Sequence, residues 1–373
     1  MVINKSFTIK LENITIQRCH KSEGGAIYND GILNITNSYF NENSAGYGGV
    51  IYNNISAVSH VTIINSSFTK NTVSYDGGSI YNKALLNITN SNFTQNSANS
   101  EGGAIYNYGN MNLTNSNLNE NNATSEGGAI YNFYDKVNLT NSNFNLNYAS
   151  KGGAIYQDLS DMNLTNSNFT QNRAQNAGAI RNYDNSEINI TNSSFSENNA
   201  TENGGVMALE RRSKVNITNS IFYNNRAHNG AVITQQTYTG IIPQESILNI
   251  RNSNFTQNIA EEYGGVIHNN INCSINIIDS NFNKNNANTG GVINNFGDII
   301  IITNSNFTEN TATANGGAIN NLRDLIINNT QFSNNKANNN NTIYSTKNFT
   351  LKNSNITNNM RDIEFKSTNT LAH

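Results

Sequence analysis

Carboxylates recur along this chain at a nearly fixed interval. Asp76, Glu101 and Glu126 each stand just before a Gly–Gly pair, and Lys151 holds the next such place. If they stack on successive turns about 4.8 Å apart, three carboxylates repel unless a cation or the lysine offsets them. A Ca²⁺ site is one reading, because hard cations take oxygen ligands. A solvated corner is the ordinary one, and no metal or cofactor is assigned. Asp158 and Asp161 form a second acidic group, with Asp135 one repeat earlier, Asp184 one repeat later and Arg181 close by. Carboxylates converging beside an arginine or histidine suit the cleavage of acidic polysaccharides. These acids, however, fall in turns where acidic residues are ordinary. His20, His60, His228 and His268 sit in different columns without a triad partner. No catalytic residue is therefore assigned, and the chain is read as a non-enzyme.

Binding chemistry has better candidates. The interval between repeats lengthens between Asn229 and Gly264, and the surplus runs from Thr234 to Glu245 with the chain's single proline, Pro243. A segment pushed out of a rigid scaffold is where recognition tends to reside. Tyr238, Ile241 and Ile242 are its candidate ligand-binding residues; a neutral insertion is the alternative. Sequons such as Asn34, Asn87, Asn112, Asn138, Asn163 and Asn306 could carry glycans on an exported protein. Asn- and Thr-rich strands also generate sequons by chance.

These residues are positioned by a repeat. The hexapeptide GGAIYN or a close variant returns about every 25 residues from Gly24 to Asn321, alternating with a phrase like LNITNSNFTQN. Such a period means a solenoid in which each turn buries its apolar side against its neighbours. An aromatic or aliphatic column includes Phe93, Leu118, Phe144 and Phe169, and a near-constant serine stands two residues before it. Leu86/Ile88 and Val137/Leu139 alternate as half-buried strands do. The isoleucines of GGAIYN (Ile105, Ile130, Ile155) are placed inside, with Val232 in the same column. The next position, Tyr106, Tyr131 and Tyr156, is placed outward. The glycines supply a corner. Three apolar segments per turn predict a triangular cross-section with three short strands.

Two asparagine columns complete the pattern. One holds Asn90, Asn115, Asn141 and Asn166; the other closes the FxxN phrase with Asn96, Asn121, Asn147 and Asn172. Asparagine tolerates the left-handed conformation of a corner, and at strand spacing its amide can bond the next copy. The first column is expected to be a structural ladder that binds each turn to both neighbours. The fold class is thus all-β, a right-handed parallel β-helix of about fourteen coils. Residues 1–360 form a single domain and 361–373 a C-terminal tail. A leucine-rich repeat has a similar period but wants L-x-L-x-x-N, whereas the spacing here is L-x-I-x-N.

Composition closes other routes. Charged residues make up 13% of the chain and the net charge is −3. No basic stripe exists to neutralise phosphates, so nucleic acid is not the expected partner. No run of 18 apolar residues reads as a membrane span. Cys19 and Cys273 are about ten turns apart, on the order of 45 Å at strand spacing, so they are read as packing residues and not as a disulfide. The opening MVINKSFTIKLEN lacks the apolar core of a secretory signal, and the end shows no anchor. The chain is expected to be part of a larger surface protein.

Phe93-Thr94-Gln95-Asn96 followed by Gly102-Gly103-Ala104-Ile105 resembles the polymorphic outer membrane protein repeat. The Asn/Thr-rich background is similar to adhesin-like surface proteins of methanogenic archaea. The likeness covers about residues 7–360 and implies a right-handed parallel β-helix displayed at a cell surface. It also implies an adhesive role toward host, neighbour-cell or glycan ligands. A polysaccharide lyase or hydrolase on the same fold is the second reading, and a passive stalk the third, because fold alone does not decide function.

Overall fold

The computed structural model describes residues 1–56, 58–236, 245–270, 272–339 and 341–357, and the backbone of 363–365. The chain is an all-β parallel solenoid of about fourteen turns, about 25 residues each. It divides into two compact units, Met1–Arg181 and Asn182–His373.

One turn of the first unit runs through Ile105–Asn107, Met111–Thr114, Asn117–Asn119 and Asn122–Ala123. Parallel pairing sets Ile105 beside Ile130, Leu113 beside Leu139 and Leu118 beside Phe144. The second unit repeats the plan in Ile267–Asn269, Cys273–Ile278, Asn281–Asn283 and Asn286–Ala287. There Ile267 pairs with Ile293, Phe282 with Phe307 and Ala287 with Ala312.

Each of these turns therefore has a fourth short strand beyond the three predicted. Its inward column is small: Ala45, Val73, Ala98, Ala123 and Ala149 are all buried. The reason lies in the glycine corner. A Cβ at Gly103 would stand 2.0 Å from Gly128 O and 2.6 Å from Asn122 O, so backbone meets backbone there. Gly102 takes φ +63°, a conformation costly to residues with a Cβ. Ala177 adopts φ 61° at the same place.

The interior is made of stacked identical side chains. Phe68 and Phe93 stack at 4.7 Å, Phe144 and Phe169 at 4.6 Å, and in the second unit Phe222 and Phe255 at 4.7 Å. Ile105, Ile130 and Ile155 are buried as expected. One register differs. Gly230, at φ +58°, takes the left-handed corner, not Asn229, and Ile233 replaces Val232 in the isoleucine column, paired with Met207 and Ile267. The sequence HNGAVI offers two frames, and the left-handed glycine selects the later one.

The asparagine columns divide their work. Asn90, Asn115, Asn141 and Asn166 do adopt positive φ, between 50° and 51°. They are nevertheless exposed, and Asn141 donates to Asn115 Oδ1 at 3.1 Å on the surface. This column's ladder lies at the surface, and the buried ladder is that of the other column, the one that closes FxxN. Asn96 Nδ2 donates to Asn121 Oδ1 at 3.0 Å, and Asn121 Nδ2 to Asn147 Oδ1 at 3.1 Å. A second Nδ2 bond ties Asn121 to Phe93 O at 3.0 Å, so the amide is satisfied with no exposure. The left-handed corner turns its side chain outward, whereas the asparagine after Phe-x-x lies in the interior behind the aromatic stack. The second unit carries the same ladder, Asn225 to Asn258 and Asn258 to Asn285, both at 3.0 Å. A further buried ladder closes GGAIYN: Asn53 to Asn82 at 2.6 Å, Asn82 to Asn107 and Asn107 to Asn132 at 2.7 Å.

Candidate binding faces

In the first unit the residue after each buried isoleucine points to the opposite face of the strand. Six of these are tyrosines, and their rings stack continuously. Centroid separations are 5.2 Å for Tyr28–Tyr52, 5.0 Å for Tyr52–Tyr81, 4.6 Å for Tyr81–Tyr106, 5.1 Å for Tyr106–Tyr131 and 5.2 Å for Tyr131–Tyr156. The planes are within 14° of parallel. The tyrosines are outward in register, as expected, but not freely solvated: Tyr131 is 7% and Tyr156 4% exposed. Burial raises the phenol pKa of Tyr81, Tyr106 and Tyr131. The inner rings spend their faces on one another, so they do not offer an open aromatic platform.

Two flanking columns do more. Tyr47 stacks on Tyr75 at 4.9 Å and meets Tyr81 edge-on at 5.3 Å. Beyond Tyr131, Phe133 and Tyr134 meet edge to face at 4.6 Å, and Tyr108 lies 5.5 Å from Tyr134. Lys83 Nζ donates to Tyr52 Oη at 2.6 Å. Tyr75, Tyr134 and Tyr148 are 54%, 55% and 54% exposed.

The carboxylate edge forms as the spacing implied. Glu101 bridges in parallel to Glu126, and Glu126 to Lys151. Glu101 N donates to Asp76 Oδ1 at 3.2 Å, and Lys151 Nζ to Glu126 Oε1 at 3.0 Å. Burial, together with the charges of Asp76 and Glu126, pushes the Glu101 carboxyl up to about 7, and burial raises Asp76 as well. The lysine offsets one end of the row. Among the described residues, no group of three or more His, Cys, Asp or Glu is arranged to hold a metal.

The acidic group weighed for catalysis divides between the two units. Asp158 and Asp161 belong to the first, at the end of Ile155–Asp158 and the start of Asp161–Thr165. Asp135 is an exposed turn residue. Asp184 belongs to the second unit, 3.9 Å from Arg211 and 3.4 Å from Arg212. Arg181 is buried with its guanidinium 5.9 Å from the Tyr156 ring, a structural placement. The histidines remain apart: His20 bonds Ser44, His228 bonds Glu261, and His268 is buried with its pKa lowered to about 4 by desolvation. Cys273 is buried and its thiol pushed up to about 12, whereas Cys19 is half-exposed; both are free thiols. Tyr238, Ile241 and Ile242 lie outside the described residues.

Sequence reasoning missed the stacking of one column and the whole of a second feature, and only the first left a signal. The Tyr band is written in the successive GGAIYN copies, where a tyrosine recurs one residue after the isoleucine. The second unit also holds a depression of about 440 Å³ lined by Asn270, Phe296, Leu322 and Arg323. Its residues come from different turns, and only folding brings them together.

Residues 65–83, 90–108 and 304–322 match the Chlamydia polymorphic membrane protein repeat. The three matches are consistent with a repeat protein of that type. No curated protein matches it significantly, so the likeness to methanogen surface proteins rests on composition alone. These repeats on a parallel β-solenoid fit a surface adhesin-like protein. Among the described residues, no helix is long and apolar enough to cross a membrane.

Proposed function

We propose that this repeat solenoid is a cell-surface adhesin segment that holds host, cell or glycan ligands on an aromatic face, without catalysis. One observation carries the reading. The exposed Tyr75 and Tyr134 reach a stacked tyrosine band through Tyr47 and Phe133, and Tyr148 is exposed on the neighbouring strand column of the same unit. Aromatic side chains give large contact area at low entropic cost, as rigid binding surfaces require. The scaffold beneath them is held by buried amide ladders, so little ordering accompanies binding.

The test is adhesion of beads coated with the parent chain or with a Tyr75→Ser, Tyr134→Ser, Tyr148→Ser variant to a glycan array and to cells. Adhesion should fall by about tenfold or more in the variant, the equivalent of about 1.4 kcal/mol. Unchanged adhesion would remove this face as the recognition element. The segment from Thr234 to Glu245, with Tyr238, Ile241 and Ile242, is proposed as an auxiliary contact. Thr234 and Gln235 are buried in the strand Ile233–Gln236, so the control arm of the same assay deletes residues 237–244 alone.

A further inference from the structure

We infer that the depression around Phe296 in the second unit binds a sugar carrying a single carboxylate, such as a uronic acid residue of a glycan. The inference rests on the reading of the chain as a glycan-binding surface protein, and it names a ligand class and a place that the aromatic face does not. The depression measures about 440 Å³. That is within the range of roughly 300–1,000 Å³ typical of small-molecule sites.

Its lining is mixed in the way a sugar requires. Phe296 and Leu322 supply apolar surface for ring C–H groups, and the Asn270 amide can donate to or accept from a hydroxyl. Phe296 is fixed from behind, edge-on to Tyr263 at 6.2 Å and to His268 at 5.9 Å. His268 is itself fixed by the Asn294 amide, 3.1 Å from Nδ1. The apolar wall is therefore held in place before any ligand arrives.

Arg323 supplies the charge. Its Nε donates to Phe296 O at 3.3 Å, which anchors the guanidinium at the rim and leaves both terminal amino groups outside that bond. Arg18, Arg212 and Arg251 each have a carboxylate within 4.0 Å, at 2.9, 3.4 and 3.9 Å. Among the described residues, Arg323 has none in that range. A guanidinium fork matches a carboxylate with two parallel hydrogen bonds. Asp298 and Asp324 are exposed near Phe296 and Arg323 in the chain, and their charges disfavour a polyanion more than one carboxylate.

The experiment is ligand-detected NMR titration of the full chain with sodium glucuronate, glucose and cyclohexanecarboxylate. The parent, Arg323→Gln, Phe296→Ser and the triple tyrosine variant are compared. Glucuronate should bind, with glucose and cyclohexanecarboxylate at least about tenfold weaker. Arg323→Gln should lose about tenfold or more. The arginine side chain is exposed, so that variant should melt with the parent; Phe296→Ser is a second route to the same loss. The triple tyrosine variant should bind glucuronate like the parent. Glucose binding as well as glucuronate would remove the role of the carboxylate, and equal binding of cyclohexanecarboxylate would make the ligand an apolar acid and not a sugar. Undetectable glucuronate binding, or full binding by Arg323→Gln, overturns the site while bead adhesion still reports on the tyrosine face. Glucuronate binding without any bead adhesion sinks the adhesin reading and leaves this site standing.

Discussion

Replacing Asn121 with alanine removes the bonds it donates to Phe93 O and Asn147 Oδ1, and leaves the N–H and Nδ2 of Asn96 without their acceptor. Each unsatisfied buried group costs about 1–3 kcal/mol, so the variant should lose about 3–5 kcal/mol in urea unfolding. Asn141→Ala, on the exposed corner, should stay within about 0.5 kcal/mol of the parent. Equal effects from the two would deny that burial sets the energy of the ladder. Both columns were legible as asparagine, and both as turn-compatible. Which one faces inward was not, because the answer depends on where the left-handed residue directs its Cβ, and spacing does not contain that. Glu101 offers a pH test at the same scale. Its carboxyl is raised from 4.5 to about 7, first by burial and then by Asp76 and Glu126. The folded state therefore binds the proton more tightly than the unfolded state. The contribution is fully present below about 4.5 and is lost as pH rises through about 7. The unfolding midpoint should fall between about pH 5 and about pH 8, and Glu101→Gln should flatten that slope. A slope unchanged in the variant would assign it to another group.

At the scale of the strand, the repeat disclosed three segments and concealed a fourth. Leucine, isoleucine and phenylalanine mark the first three by alternation. The fourth, for instance Asn122–Ala123, is marked only by an alanine, which carries little hydrophobic signal. Its small size becomes intelligible once the glycine corner is seen to lie against its backbone. Gly103→Ala should therefore destabilise the first unit by about 2–4 kcal/mol, because the added Cβ meets the backbone carbonyl oxygens of both Gly128 and Asn122. Ala123→Gly, which opens space without a clash, should cost less, about 1 kcal/mol. Urea midpoints of the two variants decide it, and a Gly103→Ala chain as stable as the parent would mean that the corner relaxes. The same reasoning covers the one register error. In HNGAVI a strand frame with Val232 or with Ile233 inward satisfies hydrophobicity equally. Only the requirement for a left-handed residue three places before the inward side chain selects Ile233.

At the scale of the whole chain, what stood out in the sequence was the repeat, and it disclosed the solenoid and the likeness to the polymorphic membrane protein repeat. The sites were less legible. The tyrosine band could be read as a column but not as nearly buried, since stacking along the chain's repeat direction is a tertiary event. The Phe296 depression draws on Asn270, Phe296, Leu322 and Arg323, which no spacing rule connects. The central claim is that this molecule binds and does not cut. It is tested most directly by incubating the parent chain with immobilised acidic polysaccharides, reading retained protein and released sugar ends together. The account predicts retention with no release, and the same retention from an Asp158→Asn, Asp161→Asn, Asp184→Asn variant. Release by the parent that disappears in that variant would contradict it and make the chain an enzyme.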